Sequence, residues 1–280
     1  KERIANDEYD KENARDFSLW KFYTEEDGEV SYDAPFGKGR PGWHIECSAM
    51  SMTNLHTETI DIHTGGSDLI FPHHTNEIAQ SEAVTGKTFV NYWMHSGFIT
   101  VDGKKMSKSL GNIFTLQNLH EKNIDPISYR YFVLGAHYST LLNFTWEALE
   151  GADTTLKRLR EKISKLPDGG NVIETDFNDL INDDLNTPKA LALVHDTLRD
   201  ENISDADKKA TILDFDKVLG LQLDKIVTFE IPNEVQELIK ERDIARANKD
   251  FAKSDELRNE IEKFGFKVKD TDSGTQLDLT

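Results

Sequence analysis

The pattern that most constrains the fold of this chain is a strand, turn, helix and strand in succession between residues 59 and 95. The β-branched run Thr59–His63 predicts a buried strand, and the glycine-rich segment Thr64–Ser67 predicts a turn at its carboxyl end. A helix is expected at about Asn76–Val84, and the aromatic run Phe89–His95 predicts the next strand. Because a helix separates the two strands, they are expected to pair in parallel, with a functional site at their carboxyl ends.

Helical patterns dominate the chain after about residue 125, and His44–Leu55 predicts a helix before it. Apolar residues recur in this later part at helical spacing, as at Leu149, Leu156, Leu159 and Ile163. Two short segments, Pro167–Gly170 and 228–233, have the composition of linkers. The pair Lys249-Asp250 lies between two helical stretches and predicts the turn of an αα-hairpin.

The net charge of −18 over 280 residues argues against indiscriminate binding to DNA, to other nucleic acids or to anionic membranes. Two segments, residues 101–165 and 238–269, are nevertheless mildly basic. They are either ordinary solvated helix faces or two separate contacts for phosphate groups. No apolar run approaches the roughly 20 residues that a membrane-spanning helix needs.

The chain contains a single cysteine, Cys47, so an intramolecular disulfide is excluded. Its amino-terminal residues are polar and charged and do not have the pattern of a signal peptide. Together these features favour a reducing compartment, and a cytoplasmic protein is expected.

Cys47, His73 and Glu77 form the first candidate site. His73 and Glu77 are four residues apart, so both point to one face of a helix. Thiolate, imidazole and carboxylate groups are zinc ligands, and three of them leave a position open for a substrate atom. The alternative is a buried cysteine beside a surface His–Glu pair.

The second candidate site is the segment His63–Asp68, which contains Gly65 and Gly66. Glycines at a strand end allow a ligand to approach the backbone closely, and the carboxylate of Asp68 could accept hydrogen bonds from ribose hydroxyls. A tight turn capped by Asp68 is the alternative, and the pattern alone does not separate the two.

The third candidate site is the segment Gly103–Gly111, which carries three lysines between two glycines. Lysine is a flexible point charge suited to phosphate oxygens. The segment does not have the spacing of a P-loop. A solvated basic turn is the alternative.

The run Lys105–Ser109, with the sequence KMSKS, resembles the signature of class I aminoacyl-tRNA synthetases. The segments Gly39–Met50, Phe71–Gln80 and Asn91–Gly97 resemble the cysteinyl-tRNA synthetases in particular, and the resemblance runs from about residue 15 to about residue 275. It implies an α/β fold, the second half of a Rossmann-like catalytic domain, followed by an all-α helical bundle and a small anticodon-binding domain. The implied boundaries are 1–100 for the half-domain, 101–150 for the KMSKS loop and stem-contact region, 151–227 for the bundle and 228–280 for the carboxyl-terminal helical hairpin.

The resemblance also implies roles for individual residues. Cys47, His73 and Glu77 would bind zinc, and Trp43 would wall the amino-acid pocket. The residues implied for ATP are Gly65, Gly66 and Asp68 at the adenosine, with Lys105 and Lys108 at the phosphates. The residues implied for the anticodon are Arg246, Phe251, Asp255 and Asp270, with Phe251 as a stacking platform.

The activity implied is that of a cysteine–tRNA ligase, which uses ATP with Mg²⁺ to form cysteinyl-adenylate and transfers cysteine to tRNA(Cys). The family also has a HIGH-type motif and a further zinc-binding cysteine, neither of which occurs here. The chain is therefore expected to be the carboxyl-terminal part of a longer enzyme, to be inactive alone and to bind zinc weakly. Two alternatives remain: a ligase that joins cysteine to an amino-sugar, against which residues 234–270 count, and a non-catalytic tRNA-binding fragment.

Overall fold

The computed structural model describes residues 16–225, 232–271 and 274–279. They fall into two compact units. The first unit comprises the residues up to Phe114 together with Val133–Thr145 and Asp183–Pro188, and the second comprises Thr115–Phe132, Trp146–Asn182 and the residues from Lys189 onward. Most of the linker expected at 228–233, the boundary expected at 227/228 and the amino-terminal residues 1–15 lie outside the described residues.

The first unit contains the α/β part that the sequence predicts. Its strands and helices are β1 Trp20–Phe22, β2 Gly39–Pro41, α1 Trp43–Leu55, β3 Ile60–Gly66, α2 Thr75–Thr85, β4 Val90–Ser96, β5 Ile99–Val101, β6 Lys104–Lys105 and β7 Leu142–Phe144. β3 and β4 pair in parallel, from Ile60 opposite Val90 to Gly66 opposite Ser96. The two strands, the helix between them and their parallel pairing are therefore confirmed.

The core of this unit lies between the parallel strands and the two longer helices. Ile60, Phe89 and Val90 are buried, and Met52 of α1 and Ile78 of α2 pack against them. The apolar residues thus fix both helices against the strands, and this packing sets the positions of the polar residues along the strands and on α2.

The prediction that the turn begins at Thr64 is wrong, because the turn begins three residues later. Thr64, Gly65 and Gly66 continue β3 and pair with Met94, His95 and Ser96 of β4. The turn begins only at Ser67. Glycine does not by itself end a strand when a neighbouring strand supplies the ladder of hydrogen bonds, and the sequence pattern could not show how far β4 extends.

The second unit is helical as far as residue 225. Its helices are α3 Leu116–Glu121, α4 Pro126–Leu134, α5 Trp146–Ser164, α6 Phe177–Asn182, α7 Thr187–Arg199 and α8 Asp205–Leu219, of which α4 and α7 each have one end in the first unit. The four residues at helical spacing on α5, Leu149, Leu156, Leu159 and Ile163, are all buried as predicted. Phe177 of α6 stacks on Phe215 of α8 with ring centroids 4.3 Å apart. The segment Pro167–Gly170 is irregular, in agreement with its prediction as a linker.

The carboxyl-terminal part of the second unit is a helical hairpin followed by a β-hairpin. The helices α9 (Asn233–Ala247) and α10 (Phe251–Lys263) are joined at residues 248–250, so the predicted αα-hairpin is confirmed. The strands β8 (Phe266–Thr271) and β9 (Gly274–Leu279) pair antiparallel and were not predicted. Their signal in the sequence is the alternation of apolar and basic residues from 266 to 269.

A small core holds these two hairpins together. Val235 of α9, Ile261 of α10, and Phe266 and Val268 of β8 are buried in one cluster.

Along the described part of the chain, no helix has the length and apolar character needed to cross a membrane. The expected order of an α/β part followed by helical parts is confirmed, with the β-hairpin of β8 and β9 as an additional element after α10.

Candidate functional site

A buried carboxylate, Glu77 on α2, is the centre of the first candidate site. Its side chain is fully buried, and its two oxygens face two histidines. Oε2 lies 2.8 Å from Nε2 of His63, in a hydrogen bond. Oε1 lies 2.6 Å from Nε2 of His73, but it forms no hydrogen bond there. Glu77 thus has one oxygen that is satisfied and one that is buried without a donor.

Cys47, His73 and Glu77 come together as the sequence predicts. Their ligand atoms all lie within 4.8 Å of one another, although Cys47 belongs to α1 and Glu77 to α2. His73 and Glu77 are buried and Cys47 is half-buried. A thiol sulfur, an imidazole nitrogen and a carboxylate oxygen form a donor set that suits zinc. Oε1 of Glu77, which accepts no hydrogen bond, lies next to the ligand atoms of Cys47 and His73.

Burial favours the uncharged form of two of these ligands and therefore shifts their pKa values in opposite directions. It raises the pKa of the Cys47 thiol, and the carboxylate of Glu77 raises it further. Burial also lowers the pKa of His73, which favours the neutral imidazole that a metal needs.

Trp43 and His44, at the start of α1, lie against His73. Nδ1 of His44 is 2.8 Å from Nδ1 of His73. The ring of Trp43 lies 4.6 Å from that of His73 between centroids, and about half of Trp43 is exposed. Trp43 therefore forms an exposed wall beside the metal-ligand candidates.

A second histidine group, which the sequence analysis did not identify, shares Glu77 with the first. His63, His74 and Glu77 also place their ligand atoms within 4.8 Å of one another. Two of these histidine nitrogens already have partners, since His63 is bonded to Glu77 and Nδ1 of His74 lies 2.8 Å from Nε2 of His95. Burial, with the neighbouring histidines, lowers the pKa of His74 to about 4. The sequence signal for this group was the pair His73-His74, which follows a predicted strand that ends at His63.

The glycines at the end of β3 serve close packing. A Cβ atom on Gly65 would lie 2.6 Å from Cε1 of His74, and one on Gly66 would lie 2.5 Å from Oδ1 of Asp68. Because His74 is buried, only glycine leaves room for its ring at position 65, whereas the exposed side chain of Asp68 could turn away from a larger residue at position 66. Asp68 lies in the turn after the strand, and its side chain is exposed.

The lysines of the third candidate site are exposed. Lys105 belongs to the two-residue strand β6, and Lys108 begins a 3-10 turn that ends at Leu110. Among the residues that the structure describes, neither lysine forms an ion pair with a carboxylate. Both ammonium groups are therefore accessible to an anionic ligand.

The carboxyl-terminal candidate residues are only partly brought together. Arg246 forms an ion pair with Asp270, whereas Asp255 lies 3.7 Å from Arg258 and Phe251 is 67 % exposed. The direct partner of Arg246 is Asp270.

Two further arginines, which the sequence analysis missed, also contact Asp270. The fully buried Arg242 lies 2.9 Å from Oδ1, and Arg258 lies 3.2 Å from Oδ2. Burial alone would raise the pKa of Asp270, but its hydrogen bonds to Arg242 and Arg246 outweigh that effect and hold the pKa below 3.8. Arg242 lies four residues before Arg246 on α9, and this spacing was the sequence signal for Arg242.

Three protein families match successive parts of the chain. The family described as the tRNA synthetases class I (C) catalytic domain matches residues 1–154, the DALR domain matches residues 176–224, and the cysteinyl-tRNA ligase anticodon binding domain matches residues 228–277. The first of these matches covers more than half of the chain.

Among curated proteins, the cysteine–tRNA ligase of Chlamydia abortus is 46% identical over an alignment of 300 positions, which covers 98% of this chain and 63% of that protein. Cysteine–tRNA ligase 1 of Burkholderia lata is 46% identical over 274 residues, which cover 95% of this chain and 58% of that protein. The chain thus spans less than two thirds of the length of these relatives. Among solved structures, a leucyl-tRNA synthetase of Agrobacterium radiobacter K84 gives a TM-score of 0.48 at 13% identity and covers 70% of this chain and 33% of that chain, which is too distant to add to the comparison.

Proposed function

The chain belongs to the cysteinyl-tRNA synthetases of class I, and from that premise we propose that it is part of a cysteine–tRNA ligase. The proposed reaction has two steps. A carboxylate oxygen of cysteine attacks the α-phosphorus of ATP and releases pyrophosphate, and the cysteinyl group then passes from the adenylate to a hydroxyl of the terminal ribose of tRNA(Cys), with AMP as leaving group. The observation that carries the proposal is the convergence of Cys47, His73 and Glu77 at one place.

Zinc is the proposed resident metal, with Cys47, His73 and Glu77 as its ligands from this chain. When bound, zinc supplies a Lewis acid that prefers a thiolate to a hydroxyl group, and it thereby distinguishes cysteine from serine. Two features support zinc binding: Oε1 of Glu77 accepts no hydrogen bond, and the lowered pKa of His73 favours its neutral form. Trp43, with its exposed ring beside His73, would wall the pocket for the amino acid.

ATP, with Mg²⁺, is the proposed nucleotide substrate. Asp68 is exposed at the carboxyl end of β3 and would accept hydrogen bonds from the ribose, beside Gly65 and Gly66. Lys105 and Lys108 would offset the negative charge that develops on the departing pyrophosphate. No group of the protein needs to form a covalent bond in this scheme, because positioning and charge stabilisation lower the barrier.

tRNA(Cys) is the proposed acceptor, and Arg246, Phe251, Asp255 and Asp270 are the proposed anticodon-reading residues. Phe251 is largely exposed at the start of α10 and offers a face on which a base can stack. An amino-sugar as acceptor is not favoured, because residues 228–277 match an anticodon-binding domain. A cytoplasmic location accords with a role in translation.

The experiment that tests this proposal is ATP–pyrophosphate exchange by the protein as its gene encodes it. Exchange should depend on cysteine, and serine should support less than about 1% of the rate, since a site that binds the thiol rejects its isostere. Lys108→Ala should lower kcat for exchange by about 100-fold, as expected for the loss of a preorganised charge. Exchange that is equally fast with serine would contradict the proposed role of the thiol-binding site.

A further inference from the structure

One asparagine side chain bridges the lysine-bearing segment of the first unit. The amide nitrogen of Asn112 donates to the carbonyl oxygen of Lys105 at 3.1 Å. Its amide oxygen accepts from the backbone N–H of Ser107 at 2.8 Å. Because both halves of one amide are used, Asn112 closes the segment 105–112 into a ring held by two hydrogen bonds.

Ser107 completes the backbone conformation inside this ring. Its hydroxyl oxygen accepts from the backbone N–H of Leu110 at 3.3 Å and so caps the 3-10 turn that begins at Lys108. Gly111 ends the turn with a φ of 63°, in the left-handed region that glycine tolerates without strain. Asn112 therefore positions Ser107, and Ser107 caps the 3-10 turn that carries Lys108.

A second asparagine holds the start of the same segment. Oδ1 of Asn143, on β7, accepts from the backbone N–H of Gly103 at 2.7 Å and from the hydroxyl of Thr100 at 3.0 Å. The lysine-bearing segment is thus fixed at one end by Asn143 and closed at the other by Asn112. Neither asparagine contacts a lysine side chain, and the ammonium groups of Lys105 and Lys108 remain exposed.

We propose that Asn112 is a positioning residue that orients Lys105 and Lys108 toward the phosphates of the nucleotide. It acts through the backbone and does not touch the substrate. An amide is required because the site needs one donor and one acceptor on neighbouring atoms. Aspartate would keep only the acceptor and would add a negative charge beside the lysines. This inference rests on the proposed adenylation reaction.

The first test is limited trypsin digestion of the chain, which needs no activity. Trypsin cleaves after lysine, and the bonds after Lys105 and Lys108 lie inside the ring that Asn112 closes. Asn112→Ala should increase the initial rate of cleavage at these two bonds by about fivefold or more, since each lost hydrogen bond raises the population of the opened segment. Asn112→Asp should have an intermediate effect. Asn178→Ala, an exposed position on α6, is the control and should leave the rate unchanged.

The second test separates positioning from folding by kinetics. In ATP–pyrophosphate exchange by the complete protein, Asn112→Ala should lower kcat by about tenfold or more and leave the KM for cysteine and the midpoint of thermal unfolding unchanged. Faster trypsin cleavage with an unchanged kcat would overturn the catalytic role of Asn112 and leave the proposed function standing. Unchanged cleavage would overturn the structural role. Absence of cysteine-dependent exchange in the wild-type protein would overturn the proposed function and this inference together.

Discussion

Individual histidines determine how the ligand candidates are held. Glu77 faces His73 through Oε1 and His63 through Oε2, while His73 contacts His44 through its other nitrogen. Groups that are hydrogen-bonded to a metal ligand fix the orientation of that ligand and raise its affinity for the metal. We therefore expect His63 to increase zinc affinity by holding Glu77 in place, without itself binding the metal.

His63→Asn should lower zinc affinity by about 10-fold to 100-fold, the usual effect of losing a group that supports a metal ligand. The amide lacks the reach to donate to Oε2 of Glu77, so this carboxylate loses its fixed orientation. Competition with a chromophoric chelator measures the change. His56→Asn is the matched control, because His56 is exposed and has a φ of 52°, which asparagine tolerates well. Equal zinc affinity of His63→Asn and wild type would show that His63 does not support Glu77.

At the scale of elements, Asp270 on β8 joins the two hairpins of the carboxyl-terminal region. It accepts from Arg242 and Arg246 of α9 and from Arg258 of α10. Arg242 is fully buried, and the carboxylate of Asp270 compensates its charge. Asp270 therefore contributes to the fold of the region as well as to the orientation of Arg246.

Asp270→Asn should destabilise the chain by about 1–2 kcal/mol, since the buried Arg242 loses its charged partner while water at the partly exposed position 270 offsets part of that loss. Urea denaturation measures the effect. Asp255→Asn should change stability by less than about 0.5 kcal/mol, because Asp255 is exposed and only distantly paired.

The same substitution has a pH dependence with a definite sign. The pKa of Asp270 is lower in the folded state than its ordinary 3.8, so its stabilising contribution is present above that value and is lost as the pH falls through the folded pKa. The difference in stability between wild type and Asp270→Asn should thus shrink below about pH 4. A difference that stays constant from pH 7 to pH 3 would contradict the ionic role of Asp270.

The elements were predictable from the sequence where the signal was local, and not where it depended on partners. The buried face of α5, the parallel pair β3 and β4, and the α9–α10 hairpin followed from periodicity and turn residues. The end of β3 did not, because its last residues are strand only through pairing with β4. The group of His63, His74 and His95 was missed for the same reason, whereas His73 was predicted. His63 on β3, His74 just before α2 and His95 on β4 meet only when these elements are packed.

For the whole molecule, the net charge of −18 disfavours RNA binding over a broad surface, so the proposed binding of tRNA depends on a few local cationic groups. Arg246 is one of these in the proposed function. Arg246→Ala should weaken charging of tRNA(Cys) by about tenfold and leave cysteine-dependent ATP–pyrophosphate exchange unchanged. Arg199→Ala, on the exposed end of α7, is the control for a general loss of positive charge. Equal losses in charging and exchange would indicate a folding defect and would contradict a specific role in recognition.

In the proposed function, Cys47, His73 and Glu77 hold a zinc ion that selects the thiol of cysteine. Zinc-edge X-ray absorption of the zinc-loaded protein, with and without cysteine, measures the sulfur neighbours of the metal. The spectrum should show one more sulfur neighbour of zinc when cysteine is added, no change when serine is added, and one sulfur fewer in Cys47→Ser than in wild type. A zinc environment that is the same with cysteine and with serine, or that is unchanged in Cys47→Ser, would contradict the account.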